Sequence, residues 1–159
     1  MGTTAFILIS QKEYTPERLL ANSIASAYHA DIMLNFYNSK NYDSNGHFLS
    51  TTLNINDKNV KENGESFILY VGALDNPNLD FFDYKGVGLN PSHKLYQGGT
   101  IEEIYGVEEL VFRFIYHYLK ANPDDYFWVA DYNWVYSWKD MQKLKSLPFD
   151  SEWCYKKPK

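Results

Sequence analysis

Apolar positions along the chain come in short runs separated by polar, turn-prone stretches, and the spacing within each run predicts an element. Residues 5–9 form a continuous apolar run fit for a buried strand. Thr15-Pro16 then supplies a hydroxyl N-cap and a first-turn proline, which together open a helix. Leu20, Ile24, Tyr28, Ile32 and Phe36 recur at every fourth position and predict one helix face, although residues 32–37 fit a strand as well. Residues 38–46 are polar and turn-rich, hence a loop. Residues 47–55 and 66–74 are strand candidates, and the turn residues between them predict an antiparallel pair. A further strand is expected around residues 81–87, closed by Asn90-Pro91.

Beyond that point Thr100-Ile-Glu-Glu103 has the form of a capping box, with Gly106 interrupting and a helix continuing over residues 107–121. Val111, Phe114, Ile115 and Tyr118 give this helix an apolar stripe, and Asn122-Pro123 stops it. Residues 126–130 alternate as a strand with Tyr126, Trp128 and Ala130 on one face and Phe127 and Val129 on the other. Ser137-Trp-Lys-Asp140 is a second capping box, opening a short helix that ends at Leu147-Pro148. Strict βαβ alternation is missing from this order. The expectation is an α+β fold, a mainly antiparallel sheet with helices gathered on one face. With no repeat or linker, the 159 residues form a single domain, residues 1–159, long enough to bury about 70% of the unfolded surface.

Composition alters this picture in two respects. Aromatic residues make up 18% of the chain, which supplies buried area and, through Tyr and Trp, half-wet binding surface. The net charge of −5 is unevenly spread: residues 74–135 hold ten acids and four bases, whereas residues 136–159 hold six lysines and three acids. An acidic middle disfavours nucleic acid, whose phosphates demand cations, and suits a basic protein. The single cysteine, Cys154, fits a reducing compartment. The first ten residues lack a signal-peptide pattern and no apolar stretch approaches the ~20 residues of a membrane span, so the cytoplasm is expected.

Candidate chemistry is sparse. His29, His47, His93 and His117 lie in separate segments without ligand spacing, and the lone cysteine completes no zinc set. Gly86-Val-Gly88 and Gly98-Gly99 are too sparse for a phosphate loop and read as turns. No Gly-x-Ser-x-Gly elbow is present, and Glu102-Glu103 suits a helix start better than acid/base work. No cofactor, metal or catalytic residue is therefore expected. The most informative stretch is residues 124–138, where tryptophans and tyrosines interleave with acids. Asp124, Asp125, Asp131, Tyr132, Trp134 and Tyr136 are the candidate partner-binding residues, on local composition. Asp75, Asp80 and Asp83, around a turn at Pro77, form a second candidate set. Burial of this strand on both faces is an equal alternative, and sugar stacking on its tryptophans is a third.

The run Tyr118-Leu-Lys-Ala-Asn-Pro-Asp-Asp-Tyr-Phe-Trp-Val129, followed by Asp131-Tyr-Asn-Trp-Val-Tyr-Ser-Trp-Lys-Asp140, resembles the C-terminal third of small bacterial immunity proteins. These accompany polymorphic toxins, including those of contact-dependent growth inhibition, and the likeness is to the kind that neutralises an EndoU-type ribonuclease toxin. It covers residues 100–147 and rests on a helix, Asn-Pro, aromatic strand, helix pattern. The resemblance implies a sheet-and-helix fold likened to the Whirly family. It also implies a cytoplasmic inhibitor without catalytic residues, whose partner is a cognate toxin with a basic nuclease domain. Two readings of other classes stay open: a small hydrolase assembled from dispersed His and Asp residues, and a carbohydrate- or peptide-binding module using Trp128, Trp134 and Trp138.

Overall fold

The computed structural model describes residues 3–36, 42–58, 65–72, 78–79, 84–92 and 94–159. Within them the chain runs β1 (Ala5–Ser10), α1 (Pro16–His29), β2 (Met33–Phe36), β3 (Thr51–Asn56), β4 (Ser66–Val71) and β5 (Asn78–Leu79). It continues through β6 (Leu95–Glu102), α2 (Glu108–Ala121), β7 (Tyr126–Val129), β8 (Val135–Tyr136), α3 (Trp138–Lys145) and a 3-10 turn at Trp153–Tyr155. The strands form one sheet in the order β2-β3-β4-β6-β1-β7-β8, with β5 pairing along β6 beyond the end of β4. Every pairing is antiparallel. The fold is α+β.

Alternation along the strands divides the sheet into two faces. Ala5, Ile7, Ile9, Leu53, Ile55, Phe67, Leu69, Ile101, Phe127 and Val129 point to the face that the helices cover and build the main core with Leu110, Phe114, Ile115, Tyr118 and Met141. On the other face a smaller cluster of Leu8, Leu89, Leu95 and Val135 is sealed by Tyr84, Val87, Tyr126 and Trp128. The turn-rich segment 84–92 thus does for one end of the bare face what helices do for the opposite one.

The two cores are joined by a β-bulge. Ile7 pairs with Gly99 but Leu8 pairs with Gln97, leaving Gly98 as the extra residue of β6. The inserted residue turns Tyr96 towards the main core, while Leu95 joins the smaller cluster. Freed from the β1 ladder, the Gly98 carbonyl accepts from the Tyr14 hydroxyl at 3.1 Å and from the Gly72 amide at 3.3 Å. A Cβ on Gly98 would lie 2.8 Å from Ile9 Cδ1 and 2.9 Å from the Tyr14 ring. On Gly99 it would meet Leu69 at 2.9 Å and Leu19 at 3.3 Å. The glycines are therefore not turn residues. They form the floor on which the start of α1 rests.

Other expectations change for identifiable reasons. Residues 100–103 do not cap a helix: Thr100 lies in β6, Glu103 turns into a left-handed conformation at φ 66°, and α2 begins at Glu108 behind Val107 without a side-chain cap. The fourfold stripe on α1 is largely its outer face. Leu20 is half-buried, but Ile24 and Tyr28 are exposed, and the buried positions are Pro16, Leu19, Ser23, Ser26 and Ala27. Small side chains there let α1 lie against α2. Residues 33–36 resolve as strand, because Asp31 leaves the helix at φ 56°. The strand expected from residue 47 starts at Thr51, and residues 84–87 form turns. The Thr15 and Ser137 caps, the stripe of α2 and the two faces of β7 form as the pattern predicts.

Substituting Gly98→Ala should destabilise the protein by about 1–3 kcal/mol, the range for overpacking a filled site. The Tyr14 ring it would strike is held by its hydroxyl and cannot simply rotate away. A denaturant midpoint equal to that of the parent protein would show the bulge to be loosely packed.

Candidate functional site

The acidic and aromatic residues of segment 124–138 do not form one patch. The β7–β8 hairpin, in which Phe127 pairs with Tyr136 and Trp128 with Val135, sends them to three places. Asp124 and Asp125 precede β7 at one end of the sheet, whereas Asp131 and Tyr132 follow it at the other. Tyr136 is a core residue, 1% exposed, with its hydroxyl directed to the backbone carbonyls of Trp153 and Lys156, so it has no surface to offer a partner. Trp134 is half-buried. Its indole N–H donates to Asp140 at 3.1 Å, and the Lys157 ammonium lies 4.7 Å above its ring. Asp75, Asp80 and Asp83 lie outside the described residues.

Asp131 and Tyr132 acquire neighbours that sequence proximity could not show. Ala130 donates its amide to the Thr4 carbonyl, which sets the β7–β8 loop beside the start of β1, where β6 also ends. The segment after β6 therefore reaches the same edge. Tyr105 is 81% exposed there and Tyr132 40%. Between them lies an open depression of about 630 Å³ lined by Tyr105, Glu108, Tyr132, Glu152, Tyr155 and Lys156, among others. The Tyr132 and Tyr155 rings pack at 5.1 Å. The Tyr155 hydroxyl donates to Glu108 at 3.0 Å, and the Gly106 amide donates to the same carboxylate oxygen at 3.1 Å. Burial, aided by Cys154 and Glu108, holds the Tyr155 phenol well above its usual range, so it acts as a neutral donor. The Trp128 indole N–H donates to the Tyr132 carbonyl at 2.9 Å and fixes the loop.

The charge of this edge is negative. Glu108 and Glu152 line the depression, and Glu103 and Asp131 each lie within two residues of a lining tyrosine. Both turn the chain in the left-handed region, at φ 66° and 70°. That conformation comes readily to Asp but is costly for Glu, which marks a constrained turn. Among the described residues, Lys156 is the one cation on the rim, and it is paired with Asp150 at 2.5 Å. Open, acidic and floored by tyrosine, the depression suits recognition of a cationic surface. Glu103, Tyr105, Glu108, Glu152 and Tyr155 were not among the candidates, because three separate stretches of chain meet there and no local pattern joins them.

At the other end of β7, Asp125 is partly buried beneath α1 and α2 and accepts from the Tyr118 hydroxyl at 2.8 Å. Desolvation raises its carboxyl to about 6 despite the opposing hydrogen bond and the Arg18 charge; Asp124 and Glu13 add to the rise. His117 is lowered, by burial first and then by Lys120, His29 and Lys145. His93 lies outside the described residues. Cys154 is buried in the core and its thiol is pushed up to about 12 by desolvation, so it is an inert packing residue under ordinary conditions.

The Asp125 shift has a definite sign. Its folded pKa exceeds the ordinary carboxylate value of 3.8, so the folded state holds the proton more tightly than the unfolded chain. Its contribution is full below about pH 4 and is lost as pH rises through about 6, a change of roughly 3 kcal/mol. Subtracting the stability–pH profile of Asp125→Asn from that of the parent protein should leave a decline across this window. A flat difference would mean the carboxyl is solvated.

Among the described residues no helix is long and apolar enough to cross a membrane. Comparison with protein-family models, with curated proteins and with solved structures gives no match to this chain.

Proposed function

We propose that this protein is an immunity protein, a stoichiometric inhibitor that binds a cognate bacterial toxin with a basic nuclease domain and blocks access to its active site. The observation that carries the reading is the acidic depression floored by Tyr132 and Tyr155 and flanked by the exposed Tyr105. A nuclease cleft must be cationic to receive phosphates, and a carboxylate-rimmed surface offers it the complementary field. Tyrosine supplies the contact area: rigid, amphipathic and costing little conformational entropy to immobilise. Stacked against Tyr155, the Tyr132 ring is held in place before a partner arrives. The likeness of residues 100–147 to immunity proteins adds the class of partner. The cytoplasm is the compartment in which such an inhibitor would meet its toxin.

The carbohydrate-binding alternative depends on tryptophan faces open to a ring. Trp134 has Lys157 over its ring, Trp128 stacks on Phe6 at 5.7 Å, and Trp138 lies 5.1 Å from Tyr116. These contacts favour a structural role for all three.

Co-expression with a nuclease toxin encoded next to it should restore growth and yield a one-to-one complex. Reversing Glu103, Asp131 and Glu152 to Lys should slow association about tenfold or more at low salt and flatten its salt dependence. Reversing Glu13 and Asp124, at the other end of the sheet, should leave the association rate intact. Failure to rescue growth or to co-purify would refute the inhibitor reading. Rescue with an association rate insensitive to the triple reversal would move the interface elsewhere.

A further inference from the structure

A second concavity, of about 440 Å³, lies between α2, α3 and the C-terminal segment. Its lining is apolar where that of the acidic depression is polar, although Lys156 is common to both. Apolar side chains make the walls: Phe112 and Trp153 meet edge to face at 5.2 Å, Phe149 stands edge-on to Phe112 at 6.3 Å, and Leu144 and Leu147 complete them. Leu147 and Phe149, on either side of Pro148, are about half exposed, so the walls are open to a ligand rather than closed over. The volume falls in the range of small-molecule sites.

The rim is cationic. Arg113, Lys145, Lys156 and Lys157 line it against Glu109 and Asp150. Asp150 is taken by Lys156. Lys145 and Lys157 lie over the rings of Tyr116 and Trp134 at 5.4 and 4.7 Å, contacts that leave their charge uncompensated. Arg113 is ion-paired with Asp57 at 3.6 Å and with Glu109 at 4.0 Å, and its Nε and Nη2 are closed off from the cleft.

From the apolar walls and the surplus of positive charge, we infer that this cleft binds a small amphipathic carboxylate, an apolar acyl or aryl body ending in one acid group. The body lies against Phe112, Leu147, Phe149 and Trp153, and the carboxylate meets the cationic rim. This site is independent of the immunity reading: the two concavities share Lys156 alone, and a ligand here needs no toxin.

Decanoate, kept below its micelle-forming concentration, is the probe, with decanol and decyltrimethylammonium as its neutral and cationic counterparts. Titration followed by tryptophan emission and by calorimetry should show one decanoate per chain. It should bind at least tenfold more tightly than decanol, with no binding of the cation. Leu147→Asp should abolish the interaction, and Lys145→Glu with Lys157→Glu should weaken it at least tenfold while leaving the protein folded. Should the charge-reversed protein fail to fold, Lys145→Gln with Lys157→Gln carries the same expectation of weakened binding. Equal affinity for decanoate and decanol, more than one site per chain, or binding indifferent to Leu147→Asp would overturn the assignment.

Discussion

The architecture depends on how closely α1 approaches the centre of the sheet. Tyr14, one residue before the helix cap, places its ring over Gly98 and directs its hydroxyl to the carbonyls of Gly72 and Gly98. Leu19, one turn into the helix, comes down over Gly99. The end of β4, the middle of β6 and the start of α1 are thereby tied at one point. Any side chain at Gly98 would lift the helix away. Because the same residue is the extra one in the β1–β6 ladder, it also decides which residues of β6 face which core. A single glycine serves both packing and register.

The pattern of the chain reveals elements whose signal is local. A hydroxyl followed by proline, a carboxylate returning on its own cap and an apolar stripe bounded by Asn-Pro all act within a few residues, and α1, α2, β7 and α3 follow from them. The longest strand, β6, is the element the pattern hides. Gln97-Gly98-Gly99-Thr100 has neither the β-branched density of a strand nor a clean alternation, since the bulge breaks its period and the glycines answer to Tyr14 and Leu19, more than 75 positions away. The stripe on α1 misleads for a related reason. Its largest apolar residues face outward because the inner face needs Ser23, Ser26 and Ala27 to let α2 approach. Size at one position was set by a neighbour the sequence does not name.

Candidate residues were legible as composition and illegible as geometry. The concentration of rings and acids in residues 124–138 is real, but a hairpin alternates its side chains and separates its ends. Trp128, Trp134 and Tyr136 therefore serve packing and hydrogen bonding, while Asp131 and Tyr132 keep an exposed position. What completes the depression comes from the turn after β6 and from the segment around Glu152 and Tyr155, both brought in by topology.

Charge segregation follows from the same arrangement and bears on how a partner would approach. The bases of the last segment line a cleft on the helical side, where Lys145 and Lys157 rest on aromatic rings. Glu103, Glu108, Asp131 and Glu152 gather where β6 and β7 end. On the reading proposed above, the acid-rich end gives a cationic partner a field to follow before contact. A cationic cleft would draw that end forward. Since attraction and orientation then arise from one charge distribution, the tyrosines need only supply area at the point of contact. Their rings can do so because Trp128 and Glu108 already hold the loop and Tyr155 in place.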